Sequence, residues 1–199
     1  MELRLTPLSV WLKSGAFAVT LHVAGALGID YILWKGGFVY EVMGGQFALL
    51  LGWVWFLIAT VSVLLSLRRW YYLDTLRVIG WVLGVAMTSA PLKAAGEVAM
   101  SPLLQAEYDA YPQRRAEVLG PHLRSRDVPE SRIDSLIAYQ SELFQAYRAR
   151  QRVWTLNTWD KLKVMTLLGL ILGLILGLLV RGGALGKPAH AGGTSKASA

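Results

Sequence analysis

The chain has 199 residues, of which 54% are apolar and only 17% charged, whereas an ordinary soluble domain carries about 45–50% apolar and about 25% charged residues. Its 20 Lys and Arg outnumber its 13 Asp and Glu and leave a net charge of +7. These cations are dispersed beside apolar runs, which argues against a nucleic-acid surface. Cysteine is absent, so disulfides, thiolate metal sites and cysteine nucleophiles are excluded, and a mean hydropathy of +0.43 points to a membrane protein.

A bilayer core about 30 Å thick needs roughly 20 apolar residues in a helix. The first such run is Ser14 to Trp34, whose ionisable groups are His22 and Asp30. It is longer than a signal-peptide core and ends in Asp30-Tyr31, with no small-residue cleavage site, so it reads as a retained anchor. The second run, Gly44 to Leu67, carries no charge, and the third extends from Thr75 to about Pro91 or Leu92. The fourth, Leu162 to Arg181, is dominated by KVMTLLGLILGLILGLLV. Trp and Tyr favour the headgroup region, and Trp11, Tyr31, Trp34, Trp70, Tyr71, Tyr72, Trp154 and Trp159 stand at the borders of these runs. With the N-terminus inside, Arg4, Lys13, Arg68, Arg69, Arg77, Arg181, Lys187 and Lys196 fall on the cytoplasmic side and the short outer loop holds Lys35. Arg148, Arg150, Arg152, Lys161 and Lys163 near the fourth span count the other way. They belong to a long loop that obeys the rule weakly and carries many acids, so both termini are expected in the cytoplasm.

Residues 102–161 form a polar insert that reads as two amphipathic helices. Leu104, Tyr108, Tyr111 and Val118 make one stripe, and Ile133, Leu136, Ile137, Leu143, Phe144 and Tyr147 make the other. Gly120, Pro121 and Pro129 mark the connection between them, and Pro112 is expected to bend the first. Two such stripes bury each other in a hairpin standing on the membrane. From Lys93 to Lys163 there are 11 basic and 9 acidic residues, a near balance that suits a solvated face or a protein-docking face. The expected fold is therefore an all-α, four-span transmembrane bundle: residues 1–101 hold the lead and three spans, 102–161 an extramembrane hairpin, and 162–181 the last span. Residues 182–199 are a Gly/Ala/Ser tail without structure of its own.

The basic-aromatic turn SLRRWYYLDTLRV and the insert LLQAEYDAYPQRRAEVLG with VPESRIDSLIAYQSELFQAY carry a resemblance. Three hydrophobic helices, a tyrosine-containing hairpin and a glycine-rich terminal helix resemble the layout of an uncharacterised bacterial family of four-helix integral membrane proteins. The likeness covers most of residues 15–181 and rests on layout. It implies an architecture and brings no catalytic residues. With both termini inside, the chain is expected in the bacterial cytoplasmic (inner) membrane with the insert in the periplasm.

Gly169, Gly173 and Gly177 are spaced by four, so missing side chains line one helix face on which a second backbone can settle. That second helix belongs either to this chain or to another subunit. His22 has Ala18 and Ala26 four residues to either side. It is either a hydrogen-bond donor between helices or, with Ala18 leaving room, the ligand of a pigment such as a bacteriochlorophyll. The Ala18-x-x-x-His22 spacing is similar to that of bacterial light-harvesting polypeptides. Lys93 and Glu97, one turn apart, either neutralise each other or join Asp30 and His22 in an ion path. No zincin, serine-hydrolase, Walker or dinucleotide pattern occurs, and no enzyme is expected. The leading expectation is a non-catalytic accessory subunit that meets lipids and docks to other membrane proteins through its glycine-rich helix, its insert and its tail, with photosynthetic or respiratory assemblies as hosts. A homo-oligomeric carrier is the competing one, and a sensor is disfavoured for want of an output domain.

Overall fold

The structure is a computed structural model that describes residues 7–37 and 45–183. The lead at 1–6 and the tail from 184, with Arg4, Lys187, His190 and Lys196, lie outside the described residues. Those residues form six α-helices with no strand among them: α1 (Leu8–Lys35), α2 (Gly45–Arg68), α3 (Thr75–Met100), α4 (Gln105–Arg124), α5 (Glu130–Arg152) and α6 (Trp154–Arg181). Helices α1, α2, α3 and α6 are long and apolar enough to cross a membrane, which makes this a multi-pass membrane protein. A 3₁₀ turn, Ser101–Leu104, joins α3 to α4.

Several boundaries differ from the sequence reading. Helix α1 begins at Leu8, behind an extended Pro7, a turn and a half before Ser14. Helix α3 runs past Pro91 to Met100. A proline inside a membrane helix is tolerated because neighbouring groups re-satisfy the backbone around it, and here the Trp154 indole donates to the Pro91 carbonyl at 3.3 Å. At the other end, Asp74 accepts from the Arg77 backbone N–H at 3.0 Å and caps α3. Gly120 and Pro121 lie within α4, and the reversal occurs at 125–129, where Asp127 takes φ 55°. Residues 154–161, assigned to the insert by composition, are the first two turns of α6.

Burying Leu away from lipid tails gains little, so the bundle depends on close packing. The most extensive contact is between α3 and α6, with α1 against α2 and α3. Phe56, Leu64, Leu73, Val78, Val82, Ala86 and Ala90 form the buried centre with Leu172, Leu176 and Val180. A Cβ on Gly173 would lie 3.2 Å from the Ile79 carbonyl oxygen and 3.4 Å from its Cα, and one on Gly169 would lie 2.6 Å from the Ala86 Cβ. The glycine groove is thus filled by α3 of the same chain.

Trp11 is a correction: it is buried, tilted against Trp81 at 5.9 Å, and its carbonyl accepts from the Trp81 indole at 3.0 Å. Trp34 likewise serves packing, in a cluster with Tyr108, Tyr111 and Phe144 at 4.6–5.8 Å. Trp70, Tyr72, Trp154 and Trp159 are exposed, and Tyr71 packs on the core.

Candidate functional site

The chain concentrates its polar chemistry where α1, α3, α5 and α6 meet. Asp30 comes from α1. Lys93 and Glu97 share a face of α3 through their four-residue spacing. Asn157 and Lys161 come from α6, and Gln151 from the last turn of α5. Glu97 is the hub. Its carboxylate accepts from Lys161 Nζ at 2.7 Å, Asn157 Nδ2 at 3.1 Å and Gln151 Nε2 at 3.4 Å, with Lys93 Nζ at 3.8 Å. Lys93 also lies 3.5 Å from Asp30. Two carboxylates face two ammonium groups, so the network is neutral, as a largely buried set of charges must be to offset its desolvation. Lys93 Nζ reaches α2 as well, 3.6 Å from where a Cβ on Gly52 would lie, which is ordinary contact distance.

The glycine groove explains why these groups meet. Asn157, Lys161, Met165, Gly169, Gly173 and Gly177 follow one another at four-residue steps along a ridge that winds slowly round α6. Its lower part brings α6 hard against α3, and that contact carries Asn157 and Lys161 to Glu97. Sequence reasoning missed Lys161, Asn157 and Gln151. The continued four-residue step was the signal that could have found the first two.

Asp30, Lys93 and Glu97 converge; His22 does not join them. It lies eight residues below Asp30, about 12 Å along the helix. It is 2% exposed, and its ring makes a T-shaped contact with Phe56, centroids 4.9 Å apart. Neither of its nitrogens has a hydrogen-bond partner among the described residues, and the Thr60 and Ser89 hydroxyls are buried in the same condition. Ala18, Ala26 and Phe56 are covered by protein, so a flat macrocycle on His22 would have to displace Phe56. No group of three His, Asp or Glu suited to a metal occurs among the described residues.

Above the network, α4 and α5 are fastened to the bundle. The Arg148 guanidinium lies 3.4 Å over the Tyr108 ring and donates to Ser101 Oγ at 2.8 Å and Gln151 Oε1 at 2.6 Å. Burial pushes the Tyr108 hydroxyl up to about 12 and pulls the Arg148 guanidinium below its usual range. Phe144 stacks on Tyr111 at 4.0 Å. Lys35 donates to Glu107 at 2.8 Å, and Arg124 donates to Glu130 at 3.0 Å near the turn. Both hydrogen bonds hold their carboxyls below the usual carboxylate range. A carboxyl with a depressed folded pKa supports the fold above its unfolded value and loses that support as pH falls through the folded one. Amide exchange at 120–132, corrected for intrinsic rate, is therefore expected to quicken below about pH 4. Glu130→Gln should produce the same quickening at pH 7.

The inward face of α5 also differs from expectation. Ile133, Phe144 and Arg148 turn towards the protein, whereas Leu136, Leu143 and Tyr147, expected on the buried stripe, are exposed with Tyr139 at 37%, 51%, 51% and 58% respectively. On the other stripe, Leu104 of the 3₁₀ turn and Tyr108 and Tyr111 of α4 are buried as expected and Val118 is exposed. Comparison of the chain with family models, curated proteins and solved structures finds no match.

Proposed function

We propose that the chain is a non-catalytic membrane subunit whose α4–α5 hairpin stands outside the bilayer and docks to a larger membrane complex. One observation carries the reading: Leu136, Tyr139, Leu143 and Tyr147 form an exposed stripe at three- and four-residue steps on a helix outside the four spans. A helix that only met water would carry polar residues there, and contiguous exposed apolar surface rimmed by charge marks interaction sites. The other face of α5 is already occupied by Tyr111 and Arg148's partners, so the stripe is not a by-product of hairpin packing. Compared over the short segments alone, Lys13, Arg68, Arg69, Arg77 and Arg181 on one side against Lys35 on the other support cytoplasmic termini and a periplasmic hairpin in a bacterial inner membrane. Arg148, Arg150, Arg152, Lys161 and Lys163 belong to the long insert, which follows the rule weakly. An energy-converting assembly is the host class in keeping with the chain's 8 Trp. The glycine helix, whose groove α3 fills, takes no part in this docking.

The test is purification of tagged protein in mild detergent with mass spectrometry of what accompanies it. Wild type should bring a constant set of membrane proteins, and Tyr139→Glu with Leu143→Glu should lose them while keeping its helical content. Recovery of wild type as a lone monomer would sink the proposal.

A carrier is the second reading, favoured by the convergence of Asp30, Lys93 and Glu97 on Lys161 at one end of the spans. Ionisable groups inside membranes often mark transport paths. It predicts that Lys93→Leu with Asp30→Leu, a change that keeps the network neutral, abolishes flux in proteoliposomes.

A further inference from the structure

A shallow groove of about 470 Å³ opens where the 3₁₀ turn leaves α3, lined by Val98, Ser101, Pro102, Gln105 and Arg152. We infer that it binds one anionic phospholipid, with the headgroup phosphate on Arg152 and the top of an acyl chain against Val98.

The depth is right for a headgroup. Val98 is one residue beyond Glu97, about 30 Å along α3 from Arg77 at its inner end, and the half-exposed Trp154 indole is anchored to the neighbouring Pro91 carbonyl. The charge is right as well. Around this level Lys35 is paired with Glu107, Arg150 with Asp160 and Lys161 with Glu97. Arg152 forms no ion pair among the described residues; its protein partner is the neutral Gln105 oxygen at 3.2 Å. Gln105 in turn donates to Asp109 at 2.7 Å, which fixes its amide with the oxygen towards Arg152. The guanidinium is thus held over the groove with donors to spare, and its planar fork matches the oxygens of a phosphodiester. Below it the wall is apolar. Val98 and Pro102 are followed one turn down α3 by the exposed, apolar Ala95, so the apolar wall continues towards the hydrocarbon. A cation above an apolar wall at the membrane surface fits a charged lipid better than a soluble anion, which would leave that wall uncovered.

Native mass spectrometry of the full chain in micelles, with phosphatidylglycerol and phosphatidylcholine of identical acyl chains, tests the assignment. Wild type should retain phosphatidylglycerol over phosphatidylcholine by roughly fivefold, because the phosphate of the first leaves a net negative charge beside Arg152 whereas choline neutralises that of the second. Arg152→Gln should bring the ratio to about one, whereas Arg126→Gln, in the turn of the hairpin, should leave it unchanged. Val98→Trp, which fills the groove and keeps the charge, should also reduce phosphatidylglycerol retention. An unchanged preference in Arg152→Gln, or unchanged phosphatidylglycerol retention in Val98→Trp, overturns the proposal. Displacement of the lipid by millimolar inorganic phosphate overturns it too, since the site would then take any anion. Helical content by circular dichroism confirms that each variant is folded.

Discussion

Replacing Glu97 by Leu is expected to destabilise the bundle more than any other single change to a polar residue, by about 3 kcal/mol. The cost comes from the groups left behind. Lys161, Asn157 and Gln151 lose the acceptor they share, and two ammonium groups remain against Asp30 alone. Glu97→Gln should cost less, because an amide oxygen still accepts from Asn157 and Gln151. Adding Lys161→Met to Glu97→Leu restores neutrality and should recover at least half of the loss, a coupling that a double-mutant cycle measures directly. The change is followed by unfolding in increasing SDS fraction, using intrinsic tryptophan fluorescence. Equal stability of wild type and Glu97→Leu would show that the network contributes nothing to the fold.

Gly173→Leu is the second large effect, again about 3 kcal/mol in the same assay. The neighbour that a new side chain meets is Ile79 backbone, which cannot rotate aside as a side chain can. Helices α3 and α6 would have to separate, and Lys161 and Asn157 would be drawn away from Glu97, so this substitution should weaken the polar network as well. Gly84 supplies the contrast. A Cβ there meets nothing within 4 Å, and Gly84→Ala should be neutral or stabilising by up to about 1 kcal/mol through helix propensity. If Gly173→Leu and Gly84→Ala behave alike, the groove is not a packing surface.

The spans were legible because their signal is a sum over some 20 residues, which single polar exceptions such as His22 and Asp30 do not erase. The glycine ridge was legible as a surface, though the sequence could not say whose helix would fill it. Boundaries were not legible where context overrides a local rule. Pro91 ends a helix in water, yet α3 continues through it to Met100.

The face of α5 failed for a different reason. Its apolar residues occupy two adjoining stripes, 133/137/144 and 136/139/143/147, and amphipathicity identifies both as apolar without saying which one the bundle takes. Arg148 decides it, since its guanidinium is held between Tyr108 and Ser101, a pairing between residues 40 and 47 positions away that no local pattern reveals. Lys161 and Asn157 were missed for a related reason: polar residues just ahead of an apolar run look like the end of a loop.

Each functional reading depends on the hairpin standing on one side of the membrane and the α2–α3 turn on the other. The chain has no cysteine, so introduced cysteines are unique targets, and labelling them in sealed, uniformly oriented vesicles with a membrane-impermeant maleimide tests this directly. Ser131→Cys and Arg69→Cys should react from opposite sides, while Leu174→Cys reacts from neither. Labelling of Ser131→Cys and Arg69→Cys from the same side, or ready labelling of Leu174→Cys, would contradict the account.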